Sequence, residues 1–394
     1  MVKSIDVINV GFGDSAIISG YNHEEYKVLV DCGSKHRYNQ QIIDLVNNEL
    51  SNKKSFGILS HFHDDHYKFI PKLNKLFDEF YLPNYLNTQT ISIQLKTYLL
   101  IRNNSSIKKA SEAMVRLDKI TKCLKPNGKL IFVSSKKQKP TTILDDFRVL
   151  WPVKEDNTDD SEVNEQLNSF FKKEDLIQID NFSEEFVTHF ENNSEIINET
   201  QFMIPGAKIF NTKERIQDLS SKIIPIEYKT DSETLSIDNS TKNGPLDIST
   251  KTDFIDWTIK DGILKNQHRY CLVFDRIKDD SFPFLFLGDI DKDLLQNKII
   301  ANISSNHYKY LKVVHHGTEA YFLPNLPPAE NLIISNKSWG KRLSWQIYEQ
   351  YPLHYKNTRF ICTNNDGCNY CKTKGTCNNS IICGFGNRLS NSFQ

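Results

Sequence analysis

The chain has 394 residues, 25% of them charged and 39% hydrophobic, a globular composition with room for one large domain or two of ordinary size. Its 49 basic and 49 acidic residues balance, so no overall charge favours nucleic acid or a membrane surface. No apolar run approaches the roughly 20 residues that span a bilayer, and the N-terminal residues lack the apolar stretch of a signal peptide. We therefore expect a cytoplasmic protein without membrane association.

Short apolar runs separated by turn residues dominate the first part of the chain and predict strands with helices between them. The predicted strands cover residues 4–10, 15–19, 26–32, 56–60, 129–135 and 147–153. The predicted helices cover residues 40–50 and 69–77, with two further helical stretches within residues 86–123.

From about Lys154 to Leu264 the sequence is rich in Asn, Ser, Asp, Glu and Lys, with weak periodicity. We interpret residues 154–264 as an insertion that contains some helix and is partly flexible. It is either a lid or docking element for a protein partner, or a surface excursion without catalytic importance. The strand pattern then resumes over residues 270–275, 282–290, 310–317 and 331–336.

Three apolar runs stop abruptly at residues that bind metals. The first run ends at the segment His61-Phe62-His63-Asp64-Asp65-His66, the second at Asp289, and the third at His315-His316. Uninterrupted apolar strands are buried on both faces, and ligand sites of such sheets gather at the strand ends. A lone histidine pair or a Gly-Asp turn would mean little, but three histidines within six positions indicate a metal site.

Imidazole and carboxylate together suit zinc, with manganese or iron as competitors. His61 and His63 lie two residues apart, so in an extended chain they point the same way and can bind one ion. Asp65 and His66 can reach a second ion, and Asp289 can bridge both. Two such ions would hold a hydroxide between them for an in-line displacement at phosphorus or carbon.

The segment His61, His63, Asp65 and His66 resembles the His-x-His-x-Asp-His signature of the metallo-β-lactamase superfamily. Further stretches resemble the hydrolase domain of bacterial competence proteins, which internalise DNA. These are NVGFGDS at residues 9–15, LVDCG at 29–33, VLWP at 149–152, and the Gly288-Asp289 and His315-His316-Gly317-Thr318 elements. The likeness covers roughly residues 5–152 and 266–385.

This resemblance implies an α/β fold, a four-layer αββα sandwich in which residues 1–394 form one domain, with the 154–264 insertion inside it. It also implies two divalent ions, with Asp289 as the bridging ligand. The third histidine of the first metal is expected at His268, with His189 as the alternative. Two departures from the competence pattern are His63, which those domains often replace by Asp, and the missing Gly beside His268.

The last histidine pair serves the second metal in this resemblance. We expect His315 to be the ligand and His316 to contact substrate or protonate a leaving group, so Asp65 and His316 are the predicted catalytic residues. Asp31, at another strand end, is either a partner that orients a metal-bound histidine or an ordinary turn aspartate.

Five cysteines crowd the C-terminal residues 362–383: Cys362, Cys368, Cys371, Cys377 and Cys383. Four thiolates, Cys362, Cys368, Cys371 and Cys377, would form a structural zinc site that stabilises a short Cys-rich element. The irregular spacing and odd count leave unliganded or redox-active cysteines as an equal alternative, and Cys362 and Cys383 also fit apolar strands.

The predicted function is therefore a dinuclear zinc or manganese hydrolase, a phosphodiesterase or nuclease acting on DNA. Basic segments at residues 134–142 and 260–270 are predicted to line a groove for the nucleic acid, although such runs are commonly solvated. The alternatives are a hydrolase of a cyclic nucleotide, thioester or lactone, and a partner-dependent subunit of a bacterial defence system.

Overall fold

The computed structural model describes most of the chain. The described residues are 4–20, 26–35, 39–84, 87–103, 117, 119–137, 140–154, 161–205, 212–223, 268–277, 282–303, 305, 307–336, 349–363 and 382–386. Within these ranges no helix combines the length and the apolar character needed to cross a membrane.

Sixteen strands are present in the described residues. They are β1 Ser4–Ile8, β2 Ser15–Ser19, β3 Tyr26–Cys32, β4 Lys54–Ile58, β5 Phe77–Pro83, β6 Leu124–Val133, β7 Thr141–Ile143, β8 Phe147–Trp151, β9 Glu195–Asn198, β10 Gln201–Pro205, β11 Val273–Arg276, β12 Phe284–Phe286, β13 Tyr308–Lys312, β14 Ala329–Ile334, β15 Arg359–Cys362 and β16 Ile382–Gly386.

The strands form two mixed sheets, so the fold is mixed α/β. The first has the order β16-β1-β2-β3-β4-β5-β6-β10-β9, with β3 to β6 parallel. The second has the order β15-β14-β13-β12-β11-β8-β7, with β12 to β15 parallel. Each sheet therefore brings the carboxyl ends of several parallel strands to one edge, where ligand sites usually lie.

Helices connect and cover the strands. The α-helices are α1 Gln40–Leu50, α2 Asp64–Tyr67, α3 Thr88–Asn103, α4 Ser161–Asn168, α5 Lys173–Asn193, α6 Thr212–Lys222, α7 Lys292–Leu294 and α8 Gln350–His354. Short 3₁₀ segments are Ile70–Lys72, Thr121–Cys123, Ile300–Asn302, Val314–Gly317 and Glu319–Tyr321, and Leu295–Ile299 is a π-helix. In α1 the apolar residues at helical spacing, such as Ile42 and Val46, are the buried ones, and Asn39 caps the N-terminus.

Three hydrophobic clusters hold the layers together. One joins the facing sides of the two sheets, for example Ile58 of β4 with Phe284 of β12. A second joins the other face of the first sheet to α1, α3 and α5, and a third joins the other face of the second sheet to Leu295–Ile299 and α8. Each sheet is thus buried on both faces, which explains its uninterrupted apolar runs.

The chain between residues 69 and 83 departs from the predicted elements. The expected helix over 69–77 is wrong, because only Ile70–Lys72 is helical there and Phe77 begins β5. Pro71 lies at the start of this short 3₁₀ turn and Leu73 already has an extended backbone. The apolar spacing of this stretch fits a helix, but its residues instead bury a turn and the start of a strand.

The described part of the 154–264 segment contributes to the sheet and the core. β10 pairs with β6, and β9 pairs with β10, so the segment extends the first sheet. On α5, Phe182, Phe186 and Phe190 are buried in the cluster that covers this sheet. Residues 155–160, 206–211 and 224–267 lie outside the described residues, so the predicted lid or docking role stays a prediction.

The cysteine-rich element is described only at its two ends. Cys362 is buried in β15, within the hydrophobic cluster of the second sheet, as expected for a core residue. Cys383 lies on β16, which pairs with β1 at the edge of the first sheet. Cys368, Cys371 and Cys377 lie outside the described residues, so the structural zinc site stays a prediction.

Candidate metal centre

Two glycine turns fix the loop that carries the clustered histidines. β4 is followed by an extended stretch over residues 59–63 and by the single turn of α2, whose amide groups at His66 and Tyr67 bond the carbonyl of His63. A Cβ at Gly33 would collide with the carbonyl of Asp64. Gly13 has a φ of 158°, and a Cβ there would collide with the carbonyl of Gly33. The close backbone contacts therefore require glycine and pack both turns against α2.

One group of ligand atoms comes from His61, His63, His268 and Asp289, which all lie within 4.8 Å of one another. The ring centroids of His61 and His63 are 4.5 Å apart, and those of His63 and His268 are 4.9 Å apart. His268, predicted over His189, is the histidine that the structure brings to this group. His189 lies on α5 and contacts Asn193.

The second group comes from Asp14, His66, Asp289 and His316, again within 4.8 Å of one another. The Nε2 atom of His66 lies 3.2 Å from Oδ2 of Asp289 and 3.6 Å from Oδ2 of Asp14. The Nε2 atom of His316 lies 3.9 Å from the same Asp289 oxygen. Asp289 therefore belongs to both groups, at the position predicted for a bridging ligand.

The two histidines of the last pair occupy different places from those expected. His316, predicted to contact substrate, is completely buried and contributes to the second group. His315, predicted as the ligand, is in neither group, although its Nε2 lies 3.8 Å from Asp289 and its side chain is 27% exposed. Both residues have positive φ, 43° and 59°, within the tight turn that follows β13.

Asp65, predicted as a ligand and catalytic residue, is also absent from both groups. Its carboxylate pairs with Lys35 at 2.8 Å and lies 3.4 Å from Nε2 of His316. Asp14 takes the second carboxylate position instead. It follows the glycine turn of residues 11–13. Its place before a predicted strand and its position in the NVGFGDS stretch, which resembles the competence pattern, are the sequence signals that could have indicated it.

Buried hydrogen-bonding groups contact the Nδ1 atoms of most of the imidazoles and so orient the rings. Nδ1 of His66 lies 2.8 Å from Oδ2 of Asp31, which also accepts a bond from the Ser60 hydroxyl. The same hydroxyl lies 3.1 Å from Nδ1 of His61. Such contacts fix the tautomer that presents Nε2 to a metal. Asp31 itself is held with a φ of 53°.

Two further contacts complete this outer layer. The hydroxyl of Tyr321 lies 2.9 Å from Nδ1 of His268. The backbone carbonyl of Ser335 lies 2.7 Å from Nδ1 of His316. In both cases the contact leaves the other ring nitrogen directed at the site.

The electrostatics of the two groups differ. Burial lowers the pKa of His61 and His63 well below the usual value and lowers that of His268 to about 4, so these imidazoles are neutral and can donate a lone pair. Burial also opposes charge on His66, but Asp289 and Asp31 outweigh it and raise the pKa of His66 well above its usual value.

The carboxylates are ionised in spite of their burial. Burial would raise the pKa of Asp289, but its electrostatic interactions with the neighbouring histidines, His66 above all, outweigh burial and hold that pKa well below the usual value. Burial likewise would raise the pKa of Asp14, and Lys312 is the largest of the charges that lower it. Lys312 is itself buried, with Nζ 3.0 Å from Oδ2 of Asp14.

Unpartnered polar atoms provide the test of whether these residues fit a metal. Buried atoms without a hydrogen-bond partner include the Nε2 atoms of His61, His63 and His268 and the Oδ1 atoms of Asp14 and Asp289. Leaving one such group unsatisfied costs about 1–3 kcal/mol, yet these atoms converge on two small volumes. The described residues therefore fit divalent metal ions, with a donor set that suits zinc, manganese or iron.

The chain matches no protein-family model and no curated protein sequence. The assignment of the site therefore depends on its own geometry and donor chemistry.

Proposed function

We propose that this protein is a dinuclear metal-dependent hydrolase that cleaves phosphodiester bonds, with DNA as its substrate. The observation that carries the proposal is the Asp289 carboxylate, which is common to two groups of converging metal-ligand atoms. Two-metal sites with a shared ligand recur in phosphatases and nucleases. The two facing sheets with helical segments on their other faces support a metallo-β-lactamase type of αββα sandwich as the fold.

In this proposal the first metal is held by His61, His63, His268 and Asp289, and the second by Asp14, His66, Asp289 and His316. When bound, the two ions supply an activated water and neutralise negative charge on a phosphoryl group. Asp31 and Ser60 keep His61 and His66 in the orientation that binding requires.

His315 and Lys35 are the two groups that we propose to contact the substrate. His315 has a side chain that is 27% exposed, and Lys35 is 29% exposed while its Nζ pairs with Asp65. Both can donate to phosphoryl oxygens, where a positively charged or hydrogen-bonding group stabilises the developing charge. Asp65 would then act by positioning Lys35 and His316, and not as a metal ligand.

The test is hydrolysis by the full chain loaded with Mn²⁺ or Zn²⁺. The substrates are single-stranded DNA, duplex DNA, RNA, cyclic dinucleotides and a simple aryl phosphodiester. We expect the His61→Ala, His63→Ala variant to lose at least 100-fold in rate, because the first metal loses two ligands. The matched control, His307→Ala, removes an exposed histidine that belongs to neither ligand group and pairs with Glu330, and it should keep the wild-type rate.

His315→Ala separates substrate contact from metal binding. We expect it to keep both metals, measured by elemental analysis, while its turnover falls about 10- to 100-fold. Cleavage of cyclic dinucleotides alone would replace DNA by a small substrate. No hydrolysis by protein that contains two metals would contradict the hydrolase proposal.

A further inference from the structure

A second feature of the described surface is a lysine-rich pocket beside the metal-binding loop. It encloses about 350 Å³ and is bordered by Asp64, Tyr67, Lys68, Pro71, Lys72, Lys119 and Lys122. We refer to it as the lysine pocket. Four lysines face a single carboxylate there, in a chain whose basic and acidic residues otherwise balance at 49 each. This local excess of positive charge favours an anionic ligand.

Two separated stretches of chain build the lysine pocket. Lys68 follows α2 and Lys72 ends the 3₁₀ turn Ile70–Lys72, while Lys119 precedes the turn Thr121–Cys123 and Lys122 lies within it. Backbone bonds join the two stretches, since the amide of Leu76 donates to the carbonyl of Cys123 at 2.8 Å. The amide of Phe69 likewise donates to Cys32 at the end of β3.

The apolar residues between these lysines anchor them to the core. Ile70, Leu73, Ile120 and Cys123 are completely or almost completely buried in the hydrophobic cluster that covers the first sheet. Lys72 and Lys122 are exposed, while Lys68 and Lys119 are partly exposed. The backbone that presents the lysines is thus held by burial, and their side chains reach solvent around the pocket.

The basic segments 134–142 and 260–270, which are predicted to line a groove, contribute fewer positive charges than the lysine pocket in the described residues. Lys136 forms an ion pair with Glu199. Residues 138, 139 and 260–267 of those segments lie outside the described residues. The lysine pocket brings four lysines to one place, whereas the described part of those segments contains Lys136, Lys137 and Arg269.

The position of the lysine pocket relates it to the metal centre. Asp64, on its border, lies between His63 and Asp65, and the single turn of α2 directs Asp65 and His66 inward while Asp64 faces the pocket. The lysine pocket therefore borders the same turn of chain that carries ligands of the metal centre.

We infer that the lysine pocket binds the phosphate backbone of a nucleic-acid strand whose cut bond lies at the metal centre. This inference rests on the proposed hydrolase function and adds an extended polyanion as the substrate class. A single phosphate needs fewer charges and less space than four lysines around about 350 Å³ provide. We therefore expect a small phosphodiester to bind at the metals without using the lysine pocket.

The test compares a charge-reversed lysine pocket with charge reversal elsewhere. The pocket variant is Lys72→Glu, Lys119→Glu, Lys122→Glu. The control variant is Lys172→Glu, Lys173→Glu, Lys298→Glu, which changes net charge equally at exposed positions on the outer helices. Binding of a fluorescent single-stranded 20-mer is measured by anisotropy in EDTA at several salt concentrations. Hydrolysis of the 20-mer and of an aryl phosphodiester is measured with Mn²⁺.

We expect the pocket variant to bind DNA at least tenfold more weakly and the control variant to bind within twofold of wild type. The slope of log Kd against log salt should fall by about 0.7 for each lost phosphate contact. Hydrolysis of the aryl phosphodiester should stay within twofold, since the metal ligands are untouched.

Equal DNA affinity and salt dependence in the pocket and control variants would overturn the inference, as would the absence of DNA binding by the wild type. If the charge reversal prevents folding, judged by circular dichroism, the Lys72→Gln, Lys122→Gln variant decides by the same measurements. Failure of the wild type to hydrolyse any substrate would contradict the proposed function alone, because the binding measurement needs no turnover.

Discussion

The two groups of metal ligands share Asp289 and differ in the charge of their other members and in how that charge is compensated. In the first group, His61, His63 and His268 are neutral, and their Nε2 atoms have no hydrogen-bond partner. In the second group, Asp14 already has an ammonium group at 3.0 Å, that of Lys312.

The protonation of His66 adds to this difference in charge between the two groups. Asp289 and Asp31 raise the pKa of this histidine, so without a metal it is protonated and compensates these carboxylates itself. A metal at the second group must displace this proton and share Asp14 with Lys312, whereas the histidines of the first group are already neutral. We therefore expect the first group to bind a divalent ion more tightly than the second.

The largest effect should come from removing the shared ligand. Asp289→Ala takes one ligand from each group and leaves His66 without its closest carboxylate partner at the site, so the bound metal should fall from two ions to less than one per chain. Elemental analysis after gel filtration measures this stoichiometry. Asp293→Ala, at an exposed position four residues later, is the control and should keep two ions. Retention of both ions by Asp289→Ala would show that the two groups do not depend on a common ligand.

Removing the buried Lys312 should make the metal affinities of the two groups more similar. Lys312→Met leaves Asp14 buried without its cation, which should lower the free energy of unfolding of the metal-free protein by about 3–5 kcal/mol. A metal at the second group then compensates Asp14 without competition, so Zn²⁺ should raise the Tm of the variant by more than that of wild type.

Lys309→Met provides the control for this experiment. It removes a partly exposed lysine from the same strand, whose Nζ lies over the ring of Phe282 and not beside Asp14. Calorimetric titration measures the two affinities directly. Weaker binding of the second ion by Lys312→Met than by Lys309→Met would mean that the ammonium group supports the second group and does not compete with the metal.

The same contrast explains how much of the site could be predicted from the sequence. Metal-ligand residues that directly follow apolar strands, such as His61, His63 and Asp289, are recognisable because parallel strands end at a common edge. The position of His268 before β11 and Asp289 favours it over His189, and the structure places it beside His63.

The rest of the second group depended on features that sequence patterns do not record. Asp14 lies in the stretch that resembles the competence pattern, but its contribution to the second group follows from the packing of its turn against α2. His316 and not His315 contributes to the second group, and both lie in a tight turn with left-handed backbone conformations that the strand pattern does not indicate. The lysine pocket was not predicted because its lysines lie in segments up to about 50 residues apart, so no local run of charge indicates them.

The smallest effect concerns a contact behind the first group. When Nε2 of His268 binds a metal, Nδ1 carries the proton. The Nδ1–H group then donates a hydrogen bond to the Tyr321 hydroxyl oxygen, 2.9 Å away. Tyr321→Phe removes this acceptor and leaves the imidazole free to turn, so the first ion should bind about tenfold more weakly while the second is little changed. Calorimetric titration resolves the two affinities.

Tyr351→Phe is the matched control, because it also deletes a buried tyrosine hydroxyl, one that has no hydrogen-bond partner and lies in the core cluster of the second sheet. Its metal affinities should equal those of wild type. Equally weakened binding of both ions by Tyr321→Phe would mean that the affinities of the two groups are coupled through Asp289, so that the orientation of His268 affects both ions. A tenfold loss confined to the first ion would instead show that each group has its own supporting contacts, so that the affinities of the two ions can change independently despite their common ligand.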